Sequence, residues 1–435
     1  MKAYRASLLY FVDRQAVFEQ DGLLVVGPDG QGRQVVQAAG SHAQVAPRFA
    51  DVAVEHFPGR IIAPGFVDMH IHYPQLDVIG SPAEGLLPWL EHYTFPEEKR
   101  FAAGDYAAQA ATFFIAELLR NGVTTALAFA TSHPGSVDAL FSRAQEMSLR
   151  LMTGKCLMDQ NAPDGVRDET EQSLLDTEAL IQRWHGVDRL GYAITPRFVP
   201  SCSEAQLRGA GELAAKYPDV WVQSHVAENQ DEIAWVHRLY PRARSYLGVY
   251  EQFGLLRPRA VYAHCIHIDD EDRALMRSTG TAAAVSPTSN LFLGSGFFDY
   301  EGAERVGFPY GLASDVGGGT SFSPFHTMLA AYYVGREGQT KAGLSLKPQD
   351  LWWQHTGGAA RALGLEGVVG NLQPGCEADF VVLNPAATPL LARRTSQAAS
   401  LDELLFALIV LGDDRVIEKT VISQAGSANA APVAS

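Results

Sequence analysis

The sequence predicts an α/β protein, a (β/α)8 TIM-like barrel with a small β-sandwich domain formed from both termini, and three observations predict it. Between about residues 65 and 315, eight apolar, strand-like segments alternate with longer segments of helical pattern, the trace of repeated βα units around a parallel sheet. Residues able to bind a metal stand at the C-terminal ends of several of those strands, the face where barrels of this kind carry their chemistry. Strand character then returns outside the alternation, before residue 60 and again over 377–383.

In chain order, residues 1–60 contain short strand-like runs such as Leu23-Leu24-Val25-Val26-Gly27 and are assigned to the small β domain. The barrel is assigned to 61–368. Its strands are expected near 65–72, 123–130, 150–158, 190–198, 220–225, 260–264, 281–285 and 310–315. Its helices are expected near 104–121, 137–148, 168–184, 203–217, 230–253, 269–278 and 323–335. Residues 369–423, which include Phe380-Val381-Val382-Leu383, form the return to the small β domain. No catalytic cluster lies in either terminal part, so both read as scaffold. The stretch 424–435 is rich in Ala, Ser and Gly and is expected to be a disordered tail.

A chain of 435 residues with 47% hydrophobic content can bury a large core and fits one such barrel with additions. Its formal net charge of −15, with no basic stripe, argues against binding the nucleic-acid backbone and for a small or neutral substrate. Cys156, Cys202, Cys265 and Cys376 are scattered and form no Cys-x-x-Cys pair, which fits a reducing cytoplasm. The N-terminus opens into a strand-like stretch without a signal-peptide core, and no run of 18 apolar residues occurs, so a soluble, unexported protein with no membrane partner is expected.

The chemistry starts at Pro64-Gly65-Phe66-Val67-Asp68-Met69-His70-Ile71-His72. Side chains at i and i+2 of a strand leave on one face, so both imidazoles can reach one ion at the ~2.0–2.1 Å of a zinc–nitrogen bond. A lone histidine at a strand end is more often structural. Here His225, His264 and Asp315 also terminate predicted strands, and the joint placement reverses that reading. His70, His72, His225 and Asp315 make a nitrogen/oxygen set suited to one zinc ion, or to ferrous iron. An open position would hold water, whose pKa a metal lowers from ~15.7 toward ~7. Such a site makes a hydrolase.

Attack by water leaves a proton to be moved, and Glu228, three residues after His225, is the candidate shuttle. Its bland alternative is a carboxylate favouring the start of the next helix. His264 is either a fifth ligand or an imidazole that hydrogen-bonds the attacking water, and the second role is preferred. Asp315 can accept a proton from the water while ligating. His267 falls outside the ligand set, because its segment turns into Asp269-Asp270-Glu271.

The His-x-His strand, the later histidines and the last-strand aspartate resemble the amidohydrolase superfamily in identity and order. Five blocks resemble its guanine deaminase branch: His70-Ile71-His72-Tyr73-Pro74-Gln75, Trp89-Leu90-Glu91-His92-Tyr93-Thr94-Phe95-Pro96, Thr195-Pro196-Arg197-Phe198-Val199-Pro200-Ser201-Cys202, Ser224-His225-Val226-Ala227-Glu228-Asn229 and Ser314-Asp315-Val316-Gly317-Gly318-Gly319. The resemblance implies guanine and water giving xanthine and ammonia, with Glu228 protonating the ring nitrogen beside the attacked carbon, in purine salvage or breakdown by a homodimer. It also implies that Gln75 and Arg197 read guanine's polar edge, Arg197 suiting a carbonyl oxygen. The plainer alternative for Arg197 is a surface ion pair. Phe198 is carried over as a contact to the purine, and Trp89, with Leu90 and Tyr93, as a lid. The loop 287–296 receives no catalytic role. A lysine bridging two metals, known from another branch, has no counterpart in 190–198, which favours one ion per chain. Lys155 is expected to pack its stem and pair its amine.

Two other functions compete. One is a superfamily deaminase of another aminated heterocycle, such as 8-oxoguanine, a pterin or a triazine, against which Arg197 and Gln75 weigh. The other is a catalytically silent binding protein on the same barrel, against which the complete ligand set and Glu228 weigh.

Overall fold

The structure, a computed structural model, describes residues 1–338 and 344–424. From residue 425 the expected tail lies outside the described residues. Fifteen strands are described: β1 (Lys2–Val12), β2 (Gln15–Pro28), β3 (Gln34–Ser41), β4 (Val54–Pro64), β5 (Phe66–His72), β6 (Val123–Phe129), β7 (Arg150–Gly154), β8 (Cys156–Leu157), β9 (Leu190–Pro196), β10 (Trp221–Val226), β11 (Ala260–His264), β12 (Ala282–Val285), β13 (Tyr310–Leu312), β14 (Phe380–Leu383) and β15 (Ile417–Val421).

Eight parallel strands, β5, β6, β7, β9, β10, β11, β12 and β13, pair in that order, with β8 extending β7 alongside β9. Past the end of β13 the circle is completed by backbone bonds to β5: Asp315 N–H donates to His70 O at 2.9 Å, and His72 N–H donates to Val316 O at 2.7 Å. The first and last candidate ligands are thereby laced together by the backbone that closes the barrel. Asp68 tightens the same seam from below, accepting from Ser314 N–H at 3.0 Å and from Ser314 Oγ at 2.5 Å.

Val67, Met69, Leu127, Met152, Ala193 and Val261, contributed by five strands, meet in one buried cluster with Ala359 and Leu363. Residues from strands around the whole circle can touch only in its interior, so the lower barrel is a packed core closed by the helix Gly357–Ala362.

The terminal strands form one six-stranded sheet, ordered β15-β14-β4-β1-β2-β3. β4 leads through Gly65 directly into β5, so this sheet fixes the start of the first ligand-bearing strand. Within residues 369–423 lie two helices, Pro389–Thr395 and Leu401–Leu411, for which the sequence suggested only a return to strand. The helix expected over 230–253 is two, Gln230–Leu239 and Tyr246–Gln252. Pro241 explains the break, since its ring cannot follow the preceding turn, and Ser245 restarts the helix by accepting from Gly248 N–H at 3.0 Å. Strand 310–315 is shorter than expected because Ser314 and Asp315 leave the sheet to reach the seam. Among the described residues no helix is long and apolar enough to cross a membrane. All four cysteines are free and buried.

Candidate active site

Three imidazole nitrogens converge at the top of the barrel. His70 Nε2 and His72 Nε2 lie 3.1 Å apart, and His225 Nε2 lies 3.3 Å from His72 Nε2. Asp315 Oδ1 stands 3.0 Å from His70 Nε2 and 3.3 Å from His72 Nε2. Separations of this size match the edges of a tetrahedron whose centre is ~2.0–2.1 Å from each nitrogen, so the donors fit a single ion. The protonation chemistry agrees. His225 Nδ1 sits 2.6 Å from Arg197 O, so its proton belongs there and the Nε2 lone pair faces its neighbours. Burial, opposed by Asp315, drives the His72 pKa down to about 3. Burial and the adjacent imidazoles hold His225 well below its ordinary value. Burial acts to raise Asp315, but the imidazoles around it hold its carboxyl well below the usual range. Neutral rings and an ionised carboxylate are the forms that bind a metal.

His264 takes a different place. In the β10–β11 register Val226 lies opposite His264, which sets the ring beside the cluster. Its Nε2 is 3.2 Å from Glu228 Oε2 and 3.7 Å from Asp315 Oδ2, while its Nδ1 is 2.8 Å from Asn290 Oδ1. The ring thus bridges the two carboxyls and also lies within reach of an ion shared by His70 and Asp315. Ala227, His264, Cys265 and Asp315 all adopt left-handed backbone, with φ between 50° and 71°. Each costs about 1–3 kcal/mol, and such strain gathers where side chains must be aimed.

Glu228 is buried, and that burial, helped by the charge of Asp315, pushes its pKa up to about 8. Ser295 Oγ donates to its Oε1 at 3.1 Å, leaving Oε2 directed at His264. Beneath it Glu232 accepts the backbone N–H groups of Glu228 and Asn229, both at 3.2 Å, and the hydroxyl of Tyr246 at 2.6 Å. Asn229 and Glu232 form a capping box, so the turn carrying Glu228 is fixed by the start of the helix Gln230–Leu239. The helix-start alternative for Glu228 therefore belongs to Glu232. His267 lies outside the cluster: it donates through Nε2 to Ser295 O at 2.9 Å and accepts from Gln230 Nε2 at 3.0 Å through Nδ1.

A cavity opens beside these groups. Gln75, Arg197 and Phe198 line it together with Glu228 and His264, and Leu86, Trp89 and Leu90 add an apolar part of the wall. Tyr93 packs against the apolar cluster that contains Leu86, Trp89 and Leu90. Trp235 meets Phe198 edge-on at 6.1 Å. Arg197 is buried, and Glu98, with no exposure, accepts from its Nη1 at 2.9 and 2.7 Å. The surface ion pair is thus excluded in favour of a buried one. Gln75 Oε1 accepts Gly317 N–H at 3.1 Å. Glycine is required in this loop, since a Cβ on Gly317 would lie 2.5 Å from Gln75 O and one on Gly319 would lie 1.7 Å from Ser314 O. Lys155 interrupts the third barrel strand and pairs with Asp168 at 2.7 Å, away from the cavity.

Sequence reasoning missed Glu98, Glu232, Ser295 and Asp68. Glu98 lies two residues beyond the block 89–96, and Ser295 lies in the loop 287–296 to which no role was assigned. Glu232 carried one usable signal, the Asn229-x-x-Glu232 capping pattern.

The chain matches the model of the amidohydrolase family over residues 61–426. It is 44% identical over 406 residues to the guanine deaminase of Escherichia coli (strain K12), covering 93% of this chain and 90% of that protein. A solved structure of E. coli guanine deaminase superposes with a TM-score of 0.92 at 42% identity, over 97% of this chain and 98% of that one. The guanine deaminase of C. acetobutylicum, solved with bound guanine in its active site, superposes with a TM-score of 0.88 at 31% identity, again over 97% and 98%.

Proposed function

The chain belongs to the amidohydrolase family, and on that premise we propose that it is a guanine deaminase, converting guanine and water to xanthine and ammonia. One observation carries the substrate: Arg197, whose Nε and Nη2 make no hydrogen bond among the described residues, and Gln75 line the same cavity as Glu228 and His264. Guanine presents a carbonyl at one edge and an amino-bearing carbon at the other. Arg197 takes the carbonyl oxygen, Gln75 the adjoining polar edge, and Phe198 a ring contact, which turns the amino-bearing carbon toward Glu228. Adenine carries an amino group where guanine has its carbonyl, and would leave the buried guanidinium facing a donor.

His70, His72, His225 and Asp315 are the proposed ligands of one zinc ion, with ferrous iron as the alternative; bound there, it supplies the Lewis acidity that brings water's ionisation toward neutrality. Glu228 takes a proton from the attacking water and gives it to the ring nitrogen beside the attacked carbon. The new C–O bond then stands beside the old C–N bond. The proton of the newly added hydroxyl then passes by way of Glu228 or Asp315 to the amine, and the C–N bond breaks as the C=O forms, releasing ammonia. His264, between the two carboxyls, orients the water. Leu86, Trp89 and Leu90 exclude bulk solvent.

The same reading assigns 61–368 as the catalytic barrel and 1–60 with 369–423 as its supporting β domain. It places the reaction in purine breakdown in the cytoplasm, by a homodimer. The test is ammonia release by metal-quantified protein on guanine beside adenine, cytosine, 8-oxoguanine and a pterin. Preference for guanine with about one metal per chain is expected. A filled site with no guanine turnover would keep the metallohydrolase and remove the substrate.

A further inference from the structure

Arg197 is not a bare cation at the wall of the cavity. Its Nη1 is held by both oxygens of Glu98 at 2.9 and 2.7 Å, and Met158 Sδ lies 3.9 Å from the same nitrogen. The Phe95 ring centroid is 5.2 Å from the guanidinium carbon. Among the described residues every side-chain hydrogen bond of Arg197 uses Nη1, so the Nε and Nη2 edge is left for the cavity that Arg197 lines. Glu98 also receives Gln75 Nε2, in a longer contact of 3.4 Å. One fully buried carboxylate therefore orients both recognition side chains and cancels the charge of the only cation among them.

We propose that Glu98 is a specificity-determining residue: by neutralising Arg197 it makes the recognition end of the pocket a donor edge without net charge, suited to a neutral purine and unfavourable to an anionic one. This rests on the assignment of guanine as substrate, and its consequence falls on the product. Xanthine carries a second carbonyl and is a stronger acid than guanine, so in mildly alkaline buffer it is an anion while guanine remains neutral. An unpaired buried guanidinium would hold that anion and slow its release. Glu98 satisfies that charge from within the protein, leaving hydrogen bonding rather than ion pairing to select the ligand.

The measurement is the ratio of the xanthine inhibition constant to the guanine KM, taken on metal-loaded protein in mildly alkaline buffer for wild type, Glu98→Asp, Glu98→Gln and the double variant Glu98→Gln/Arg197→Gln. Glu98→Gln should lower the ratio about tenfold, because xanthine gains a cation while guanine loses an oriented donor. Glu98→Asp and the double variant, in which the charges stay balanced, should weaken both ligands and keep the ratio. A ratio unchanged in Glu98→Gln, or lowered equally in Glu98→Asp, overturns the proposal and makes Glu98 a strut. Should Glu98→Gln fail to fold, the other two variants decide: an unchanged ratio in both supports charge balance, and a tenfold fall in either overturns it. If wild type releases no ammonia from guanine, the substrate assignment fails. Calorimetric dissociation constants for guanine and xanthine on the same holoproteins then read the role of Glu98 independently.

Discussion

The barrel buries carboxyl groups at both ends, and the two ends compensate their charge differently. At the base, where strands β7 and β9 begin, Arg150 and Arg189 meet Glu377 and Asp379 from the terminal segment. Arg150 Nε donates to Glu377 at 3.0 Å and Arg189 Nη2 approaches it at 2.7 Å, while Ser423 N–H donates to Asp379 at 2.8 Å. Two cations face two anions. Burial acts to raise Glu377, yet Arg189 and Arg150 outweigh it and hold the carboxyl below its ordinary value, whereas at Asp379 burial prevails over Arg189 and keeps the carboxyl raised. At the top, Glu228 has no guanidinium or ammonium partner among the described residues, and the same residue type is pushed up to about 8. Among the described residues the only arginine lining that cavity, Arg197, is already matched by Glu98. A charge-matched network joins the small β domain to the barrel; the cluster at the top, rich in lone pairs and short of positive charge, offers the donor set of a metal site.

The contrast is tested most strongly by removing charge from each end. Glu228→Gln should lower turnover by about 10²–10⁴-fold while metal content and purine binding persist, because the amide keeps the shape and loses the transferable proton. Retained turnover in that variant would return Glu228 to a structural part. Arg189→Met should do the reverse: a loss of about 3–5 kcal/mol in urea unfolding, from stranding Asp379 while Glu377 keeps Arg150, with the activity of the folded fraction near wild type. A large loss of activity per folded molecule would show that the base is coupled to the site.

Smaller effects sharpen the distinction. Ser295→Ala removes the donor that aligns Glu228 Oε1 and should reduce kcat by about tenfold, with KM little changed. A change confined to KM would move Ser295 to the binding side. The metal-free protein should also lose stability as pH rises from about 6.5 to about 8. Glu228 and Glu232 have folded-state pKa values raised to about 8 and about 7, so the folded state binds more protons than the unfolded one in that window. Deprotonation there costs stability, on the order of 1 kcal/mol for Glu228 alone. Thermal unfolding of chelator-treated protein across that range, beside Glu228→Gln, should show the slope flattened in the variant. An equal slope in both would place the titration elsewhere.

Much of the top of the barrel was legible in the sequence. His70, His72, His225, His264 and Asp315 each end or closely follow a strand whose apolar run is recognisable alone, and one connection rule sends all those ends to one face. Gln75, Arg197, Phe198 and Trp89 were legible through their neighbours in sequence, and the structure sets all four around the cavity. The partners of these residues were not legible. Glu98 looked like one of several acids in Glu97-Glu98-Lys99, and Ser295 like a polar residue in a glycine-containing loop. The break at Tyr240–Pro241 and the helices in the terminal segment also escaped a reading based on the βα rhythm.

By itself, then, the amino-acid order determined the eightfold alternation and the set of donors that the strand ends deliver, because period and strand-end position are local properties of the chain. The tertiary structure alone decided which carboxyl is neutralised by a guanidinium, which is kept uncompensated beside Asp315, and which backbone bonds lace His70 and His72 to the Asp315 loop. The physical reason is that burial and charge compensation depend on what lies within a few ångströms in space. Glu98 and Arg197 stand 99 positions apart in the chain and 2.7 Å apart in the fold.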